Sequence, residues 1–357
     1  MIMGAKAIEN ILVTGGYGFI GSNFIDFILN KSSKNKNYKS VINYDKVTYA
    51  GNPDNLIHLA DDNRFKFICG DICDEKIFYK ALEDNDIDAV VNFAAESHVD
   101  KSIHSPYDFI ETNIIGTYSL LSAMKKFYKV KKDIIFYHIS TDEVYGSLDF
   151  NESPFEEINQ YKPNSPYSAS KAASDHLVRA WNHTFDLPVI TSNCSNNYGP
   201  FQFPEKLIPL SIINALNGKP ISIYGDGKNI RDWLYVQDHC DAIENILHNG
   251  QIGEVYNIGG NNEKTNIDVI HSICHNLEQL YPSVNNNKIK KGTSYKDLIN
   301  FVKDRPGHDF RYSINSSKLK EKLNWSPSNT FETGIKKTVS WYLNNPKWID
   351  RIFNKND

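Results

Sequence analysis

Short apolar runs alternate with longer stretches of helical spacing through residues 1–180. Asn10-Ile11-Leu12-Val13-Thr14, Ser40-Val41-Ile42-Asn43-Tyr44 and Phe65-Lys66-Phe67-Ile68 read as the first three strands. Asp88-Ala89-Val90-Val91-Asn92-Phe93 and Ile134-Ile135-Phe136-Tyr137-His138-Ile139 read as the fourth and fifth. Between the first two, residues 19–29 place Phe19, Ile20, Phe24, Phe27 and Ile28 on one helical face. Near-continuous apolar strands separated by helices predict a parallel sheet buried on both faces, hence an α/β, doubly wound domain. Beyond residue 190 turn-rich pieces dominate, such as Asn196-Asn197-Tyr198-Gly199-Pro200 and Tyr224-Gly225-Asp226-Gly227. Helical patterns at 208–216 and 267–280 lie among them, and the polar stretch 285–291 predicts a solvated loop. The chain therefore divides into a dinucleotide-type domain over residues 1–190 and a smaller lobe over 191–357, some of whose segments return to the first sheet.

The first strand runs into Thr14-Gly15-Gly16-Tyr17-Gly18-Phe19-Ile20-Gly21, which opens the first helix. Glycines at 15, 18 and 21 allow a tight turn, close approach to a pyrophosphate, and helix-on-sheet packing. Asp45 ends the second strand, where a carboxylate binds both ribose hydroxyls of NAD and repels a 2′-phosphate. NAD is expected rather than NADP, with Lys46 beside that site. Asp71-Ile72 closes the third strand, where Asp71 is either an adenine-edge ligand or a turn residue. Phe93-Ala94-Ala95-Glu96-Ser97 ends the fourth with small residues that leave room for a cofactor.

Ser165-Pro166-Tyr167-Ser168-Ala169-Ser170-Lys171 supplies a helix N-cap, a proline for the first turn, and a tyrosine and lysine four apart on one face. An ammonium beside a phenol favours the phenolate, a base for an alcohol that loses hydride. The glycine motif together with Tyr-x-x-x-Lys resembles the extended short-chain dehydrogenase/reductase family, whose members mostly act on nucleotide-sugars. That family holds epimerases, decarboxylases and dehydratases, so the pair does not choose the reaction.

Ser140-Thr141-Asp142-Glu143-Val144-Tyr145-Gly146 lies at the carboxyl end of the fifth strand, the edge where open α/β sheets place ligands. Two adjacent carboxylates there are costly to bury without a task or a partner. A 4-epimerase needs only Tyr167 and Lys171. Elimination of water needs a further base and acid, which Glu143 and Asp142 can provide while Thr141 bonds the C4 oxygen. One condition follows: Asp142 must be protonated near neutral pH, as a neighbouring carboxylate and burial would favour.

The Thr141–Gly146 string is similar to that of the nucleotide-sugar 4,6-dehydratases within the family. The likeness extends through Ala94–Asp100, Glu111–Asn113, Asn193–Pro200, Phe203–Pro209, Arg231–Val236, Asn257–Gly260 and Asp304–Asp309. It departs at Tyr17, usually alanine, at a short N-terminal extension, and at a Lys/Asn-rich insertion over 30–38. The resemblance implies a Rossmann fold, NAD, and dTDP-glucose as substrate, with UDP-glucose as the alternative. It implies cofactor contacts from Phe19, Ile20, Thr48, Ser97, Thr112 and Asn197 besides the residues above. It implies substrate contacts from Ser97, Thr141, Asn196, Lys206, Leu207, Tyr224, Asn266, Asp304 and His308, with Arg231 and Arg305 on the diphosphate. It also implies a homodimer. An epimerase, a decarboxylase and a catalytically silent NAD-binding protein stay open as readings of the residues alone.

Composition narrows the classes further. At 357 residues, 40% hydrophobic and 23% charged, the chain is an ordinary globular protein, which excludes a disordered or collagen-like one. A net charge of −4 gives no bulk attraction to nucleic acid. Five cysteines, with Cys69 and Cys73 four apart, suit neither a zinc site nor a disulfide framework, so no metal is expected and a reducing, cytoplasmic setting is. No apolar run approaches the ~20 residues that span a bilayer.

Overall fold

The computed structural model describes residues 8–32, 38–304 and 306–354. The strands in chain order are β1 (Asn10–Thr14), β2 (Ser40–Asp45), β3 (Phe65–Cys69), β4 (Ala89–Asn92), β5 (Ile135–Thr141), β6 (Val189–Cys194) and β7 (Asn196–Tyr198). They continue as β8 (Ile221–Tyr224), β9 (Ile230–Tyr235), β10 (Val255–Ile258), β11 (Glu263–Thr265), β12 (Ile299–Val302) and β13 (Arg311–Tyr312). One seven-stranded sheet runs β10-β6-β5-β4-β1-β2-β3 with every pair parallel. Strand order reverses between β1 and β4, which opens a crevice at their carboxyl ends.

Alternate residues of each strand feed different cores. Ile11 and Val13 pack with Phe24, Ile25 and Ile28 and with Val236 and Ile243. Leu12, between them, packs with Phe78, Leu82, Leu120 and Met124 on the opposite face. Burial on both faces is what an apolar parallel strand requires. The helix Val236–Asn249 and strand β10 come from beyond residue 190 and belong to this first layered unit. The smaller lobe gathers around Ile208, Ile212, Trp233, Ile270, Ile273, Phe331 and Tyr342. Its sheet sets β9 between antiparallel β11 and parallel β13, with β7 also on β9, while β8 pairs β12.

Three local expectations are corrected. The first helix is α-helical only over Phe19–Asp26 and widens into a π turn over Phe27–Lys31. The fifth strand runs two residues further than its apolar run, to Thr141, because Ser140 and Thr141 still pair in register with Asn193 and Cys194 of β6. The 285–291 stretch is a turn region but is not wholly solvated, since Asn286 and Ile289 are buried and Asn286 Nδ2 donates to Leu216 O at 3.0 Å. Residues 33–37 of the Lys/Asn-rich insertion lie outside the described residues, as does Arg305. Among the described residues no helix is long and apolar enough to cross a membrane, and the five cysteines are unpaired.

Candidate active site

The β1–β4 crevice continues into a cavity of about 260 Å³ lined by Gly15, Gly18, Phe19, Ile20, Gly21, Phe93, Ala95, Ser97, Thr141, Asp142, Glu143, Tyr167, Lys171, Asn196, Asn197 and Lys206. An adjoining recess shares Gly15, Gly18, Phe93 and Ala95 and adds Asp45, Lys46, Thr48, Ile72, Ala94 and Thr112. Residues far apart in the chain thus meet in one continuous site. A wider open depression of about 640 Å³ on the small lobe, beside His271, His275 and Lys296, contains none of these groups.

The glycine turn is shaped for close approach. Gly15 has φ +68°, and a Cβ there would lie 2.8 Å from Ala94 Cα. A Cβ on Gly21 would lie 2.3 Å from Gly15 O, so helix and turn touch backbone to backbone. The Asp45 carboxylate is oriented by Tyr17 N (2.9 Å, to Oδ2) and Val47 N (2.7 Å, to Oδ1). This cradle, with a fixed carboxylate at the ribose position, fits NAD and disfavours a 2′-phosphate. Asp71 lies beside Ile72 of this recess, its Oδ1 accepting from Cys73 N at 2.9 Å and its Oδ2 pairing with Lys46 at 3.2 Å.

Tyr167 is set by a reciprocal cap, in which Ser168 N donates to Ser165 Oγ and Ser165 N to Ser168 Oγ, both at 3.0 Å. Pro166 occupies the first turn of the Pro166–Phe185 helix. The Tyr167 ring packs edge-on to Phe109 at 6.2 Å between centroids. Lys171, one turn further along the helix, donates from Nζ to Ile139 O at 2.8 Å, which leaves two of its three donors to other partners. Burial, then the Glu143 charge, holds the phenol of Tyr167 well above its ordinary pKa, with a hydrogen bond from Thr141 acting the other way. This direction is opposite to the one expected from a neighbouring ammonium, because burial of the ring and the Glu143 charge both penalise the phenolate.

Thr141 caps the single turn Asp142–Tyr145, its Oγ1 accepting from Glu143 N at 3.3 Å. Asp142 is 2% exposed, and its Oδ2 has no hydrogen-bond partner. Burial first, then the charges of Glu143 and Asp232, raise its carboxyl far above the usual range, against a smaller pull from Arg231. Both causes named from the sequence, burial and the neighbouring carboxylate, push Asp142 towards its protonated form. Glu143 is only half-buried and faces the cavity.

The remaining candidates fall into two groups. Asn196 and Lys206 join the cavity, where Lys206 Nζ donates to Ser97 O at 2.7 Å, and Leu207 opens the next helix. Asn197 Oδ1 meets His239 Nδ1 at 2.9 Å. Tyr224, Asp304 and His308 cluster at the lobe's rim: His308 Nδ1 lies 2.7 Å from Asp304 Oδ1, and the Tyr224 and His308 rings meet edge-on at 6.2 Å. Asn266 starts the Asn266–Leu280 helix, its N–H donating to Asn229 O at 3.0 Å. Arg231 differs from an open phosphate ligand. It is 6% exposed, stacks over Tyr312 at 4.3 Å, and donates to the carbonyls of Ile230, Asp309 and Phe310. The sequence reading missed Ala50, Cys194, Ser195, Gln202, Phe203 and Glu205, which also line the cavity. Cys194 ends the sixth strand and Ser195 follows it at the ligand-bearing edge, a placement available only once that strand is assigned to the sheet.

Comparison with known proteins agrees with this geometry. The family described as GDP-mannose 4,6 dehydratase matches residues 12–338. The chain is similar to dTDP-glucose 4,6-dehydratase of Salmonella typhimurium, 50% identical with 96% of this chain and 95% of that one covered. Among solved structures it is similar to dTDP-glucose 4,6-dehydratase from Bacillus anthracis in complex with NAD, at 45% identity and TM-score 0.83, covering 96% and 99% of the two chains. The same enzyme from Streptomyces venezuelae, with NAD and TYD bound, gives 40% identity and TM-score 0.87 over the same shares.

Proposed function

Since the chain belongs to the GDP-mannose 4,6-dehydratase family, and within it to the dTDP-glucose 4,6-dehydratases, we propose that the cavity residues divide the reaction among them as follows. The protein is an NAD-dependent hydro-lyase that converts dTDP-glucose to dTDP-4-keto-6-deoxyglucose. NAD, held by the glycine turn and Asp45, supplies reversible hydride acceptance. Tyr167 takes the C4 hydroxyl proton, with Thr141 bonding the same oxygen and Lys171 supporting the phenolate. The C4 ketone acidifies C5–H, and Glu143 removes that proton. Asp142 gives its proton to the departing C6 hydroxyl, which leaves as water; the hydride taken from C4 would then return to C6 as C5 is reprotonated, which gives the 4-keto-6-deoxy sugar and restores the oxidised cofactor. The observation that carries this assignment is the buried Asp142, pushed towards its protonated form, next to a half-buried Glu143 in one cavity with Tyr167. A 4-epimerase has no use for that pair.

The lobe over 191–357 is assigned mainly to the nucleotide-sugar and the 1–190 domain to NAD. Lys206, Asn196, Arg231 and Arg305 are assigned to the diphosphate, and Tyr224, Asn266, Asp304 and His308 to the nucleotide. A cytoplasmic homodimer serving deoxysugar synthesis, rhamnose included, completes the reading. Support for the dimer is the exposed apolar row Tyr107, Ile110, Ile115 and Tyr118. Mass spectrometry of products from dTDP-glucose and UDP-glucose, incubated separately, tests the function. Loss of one water from dTDP-glucose alone is expected; loss from UDP-glucose alone overturns the nucleotide, and loss from neither overturns the reaction.

A further inference from the structure

Beneath the cavity floor lies a buried polar chain that the reaction scheme does not use. Thr14 Oγ1 donates to Asn92 Oδ1 at 2.6 Å, so the Asn92 amide faces His138 Nδ1 at 3.0 Å. Nδ1 must then accept, and the neutral imidazole carries its proton on Nε2. That atom lies 3.2 Å from Asp175 Oδ1 and 3.3 Å from Ser174 Oγ. The other Asp175 oxygen accepts from Ser140 Oγ at 2.8 Å. Asp175 is 5% exposed and sits one helical turn beyond Lys171, itself 4% exposed. A buried ammonium without a compensating charge is costly.

We propose that Asp175 is a positioning residue for this reaction: the buried counter-charge of Lys171, which also clamps the end of β5, through Ser140, to the helix that presents Tyr167. The inference rests on the roles given above to Tyr167 and Lys171. The clamp is two-sided, since Lys171 Nζ donates to Ile139 O while Ser140 donates to Asp175, fixing consecutive residues of β5 just before Thr141-Asp142-Glu143. The titratable groups around Lys171 and Asp175 are Tyr167 on the same helix, His138 on β5, Cys194 on β6, and Tyr161, whose hydroxyl bonds Asp175. Burial and the Asp175 charge hold the Tyr161 phenol well above its ordinary pKa. Burial takes His138 down to about 4 and Cys194 up to about 12, so neither changes charge between those limits. Burial lowers the Lys171 ammonium, and Asp175 is the larger of the charges that raise it again.

The test is Asp175→Asn, which keeps shape and removes charge, read by single-turnover formation of reduced nicotinamide on dTDP-glucose across pH. The expected result is a rate lowered about tenfold or more, with the alkaline limb moved to lower pH, because Lys171 loses its proton sooner. Bound NAD should be unchanged. In a Lys171→Met background the same substitution should cost nothing further, since its effect runs through the lysine. An unchanged rate and pH profile, or a loss that adds fully to that of Lys171→Met, overturns the proposal. Should Asp175→Asn not fold, Ser140→Ala removes the tether alone and should slow the same step several-fold; an unchanged rate overturns the clamp. The parent protein is assayed first, so that absence of its own turnover counts against the function rather than against Asp175.

Discussion

Asp142 and Glu143 are neighbours in one short turn, yet Asp142 is 2% exposed with a partnerless Oδ2 while Glu143 is half-buried at the cavity wall. Each carboxylate raises the cost of ionising the other, and burial pushes Asp142 towards its protonated form. An acid and a base therefore stand side by side at one pH.

For Asp142 the sign of the linkage can be checked by stability. A folded pKa raised above the unfolded value means stability is full below the unfolded pKa and is lost as pH rises through the folded one. Asp142→Asn should therefore have a higher Tm than the parent, with a gap that widens as pH rises from about 4. It should also lose dehydration by about 10²–10⁴-fold. Thermal melts over pH, beside a water-loss assay, measure both; a gap that narrows with rising pH contradicts the buried neutral acid.

Glu143→Gln removes the base and leaves the first oxidation possible. Water loss should fall by about 10²–10⁴-fold while bound NAD is unchanged and reduced nicotinamide builds up on adding dTDP-glucose. Stopped-flow absorbance with end-point product analysis reads this; normal turnover would remove Glu143 from the role.

Tyr167→Phe gives the opposite spectroscopic pattern. The phenyl ring still packs on Phe109, so the fold and NAD content should hold, but no reduced nicotinamide should form with substrate. Its appearance at the parent's rate would move the first proton transfer to another group.

The backbone contact of the glycine turn predicts a loss of cofactor. A methyl at Gly21 meets Gly15 O at 2.3 Å, and one at Gly18 meets the same atom at 3.1 Å. Gly21→Ala should cost about 1–3 kcal/mol and most of the bound NAD as isolated, with Gly18→Ala milder in stability. Denaturation and extraction of NAD from purified protein decide it; equal NAD content in Gly21→Ala and parent would contradict the close packing.

Much of this site was legible in one dimension because its parts follow local rules. The turn after β1, Asp45 at the end of β2, the reciprocal cap before Tyr167 and the Thr141–Glu143 turn after β5 are each encoded by contiguous residues whose strand or helix had a clear period. Their convergence follows from one rule of parallel sheets, that successive strands end at the same edge. Positions without a local signal were missed, and surroundings that arise between distant segments were not legible. The packing of Arg231 under the 309–312 segment, with hydrogen bonds to the carbonyls of Ile230, Asp309 and Phe310, is such a case. Ala50, Gln202 and Glu205 enter the cavity from loops whose course no periodicity describes.

The sequence by itself determined the layered α/β fold and NAD as the cofactor, and it singled out the acid, the base and the Tyr/Lys pair proposed for the reaction, since hydrophobic period and residue chemistry are local properties. Only tertiary structure sets the direction in which their protonation is pushed. Whether Tyr167 rests neutral, whether Asp142 keeps a proton, and which anion balances Lys171 depend on burial and on charges brought close from distant strands. Coulomb and desolvation energies are set by distance through space and not along the chain.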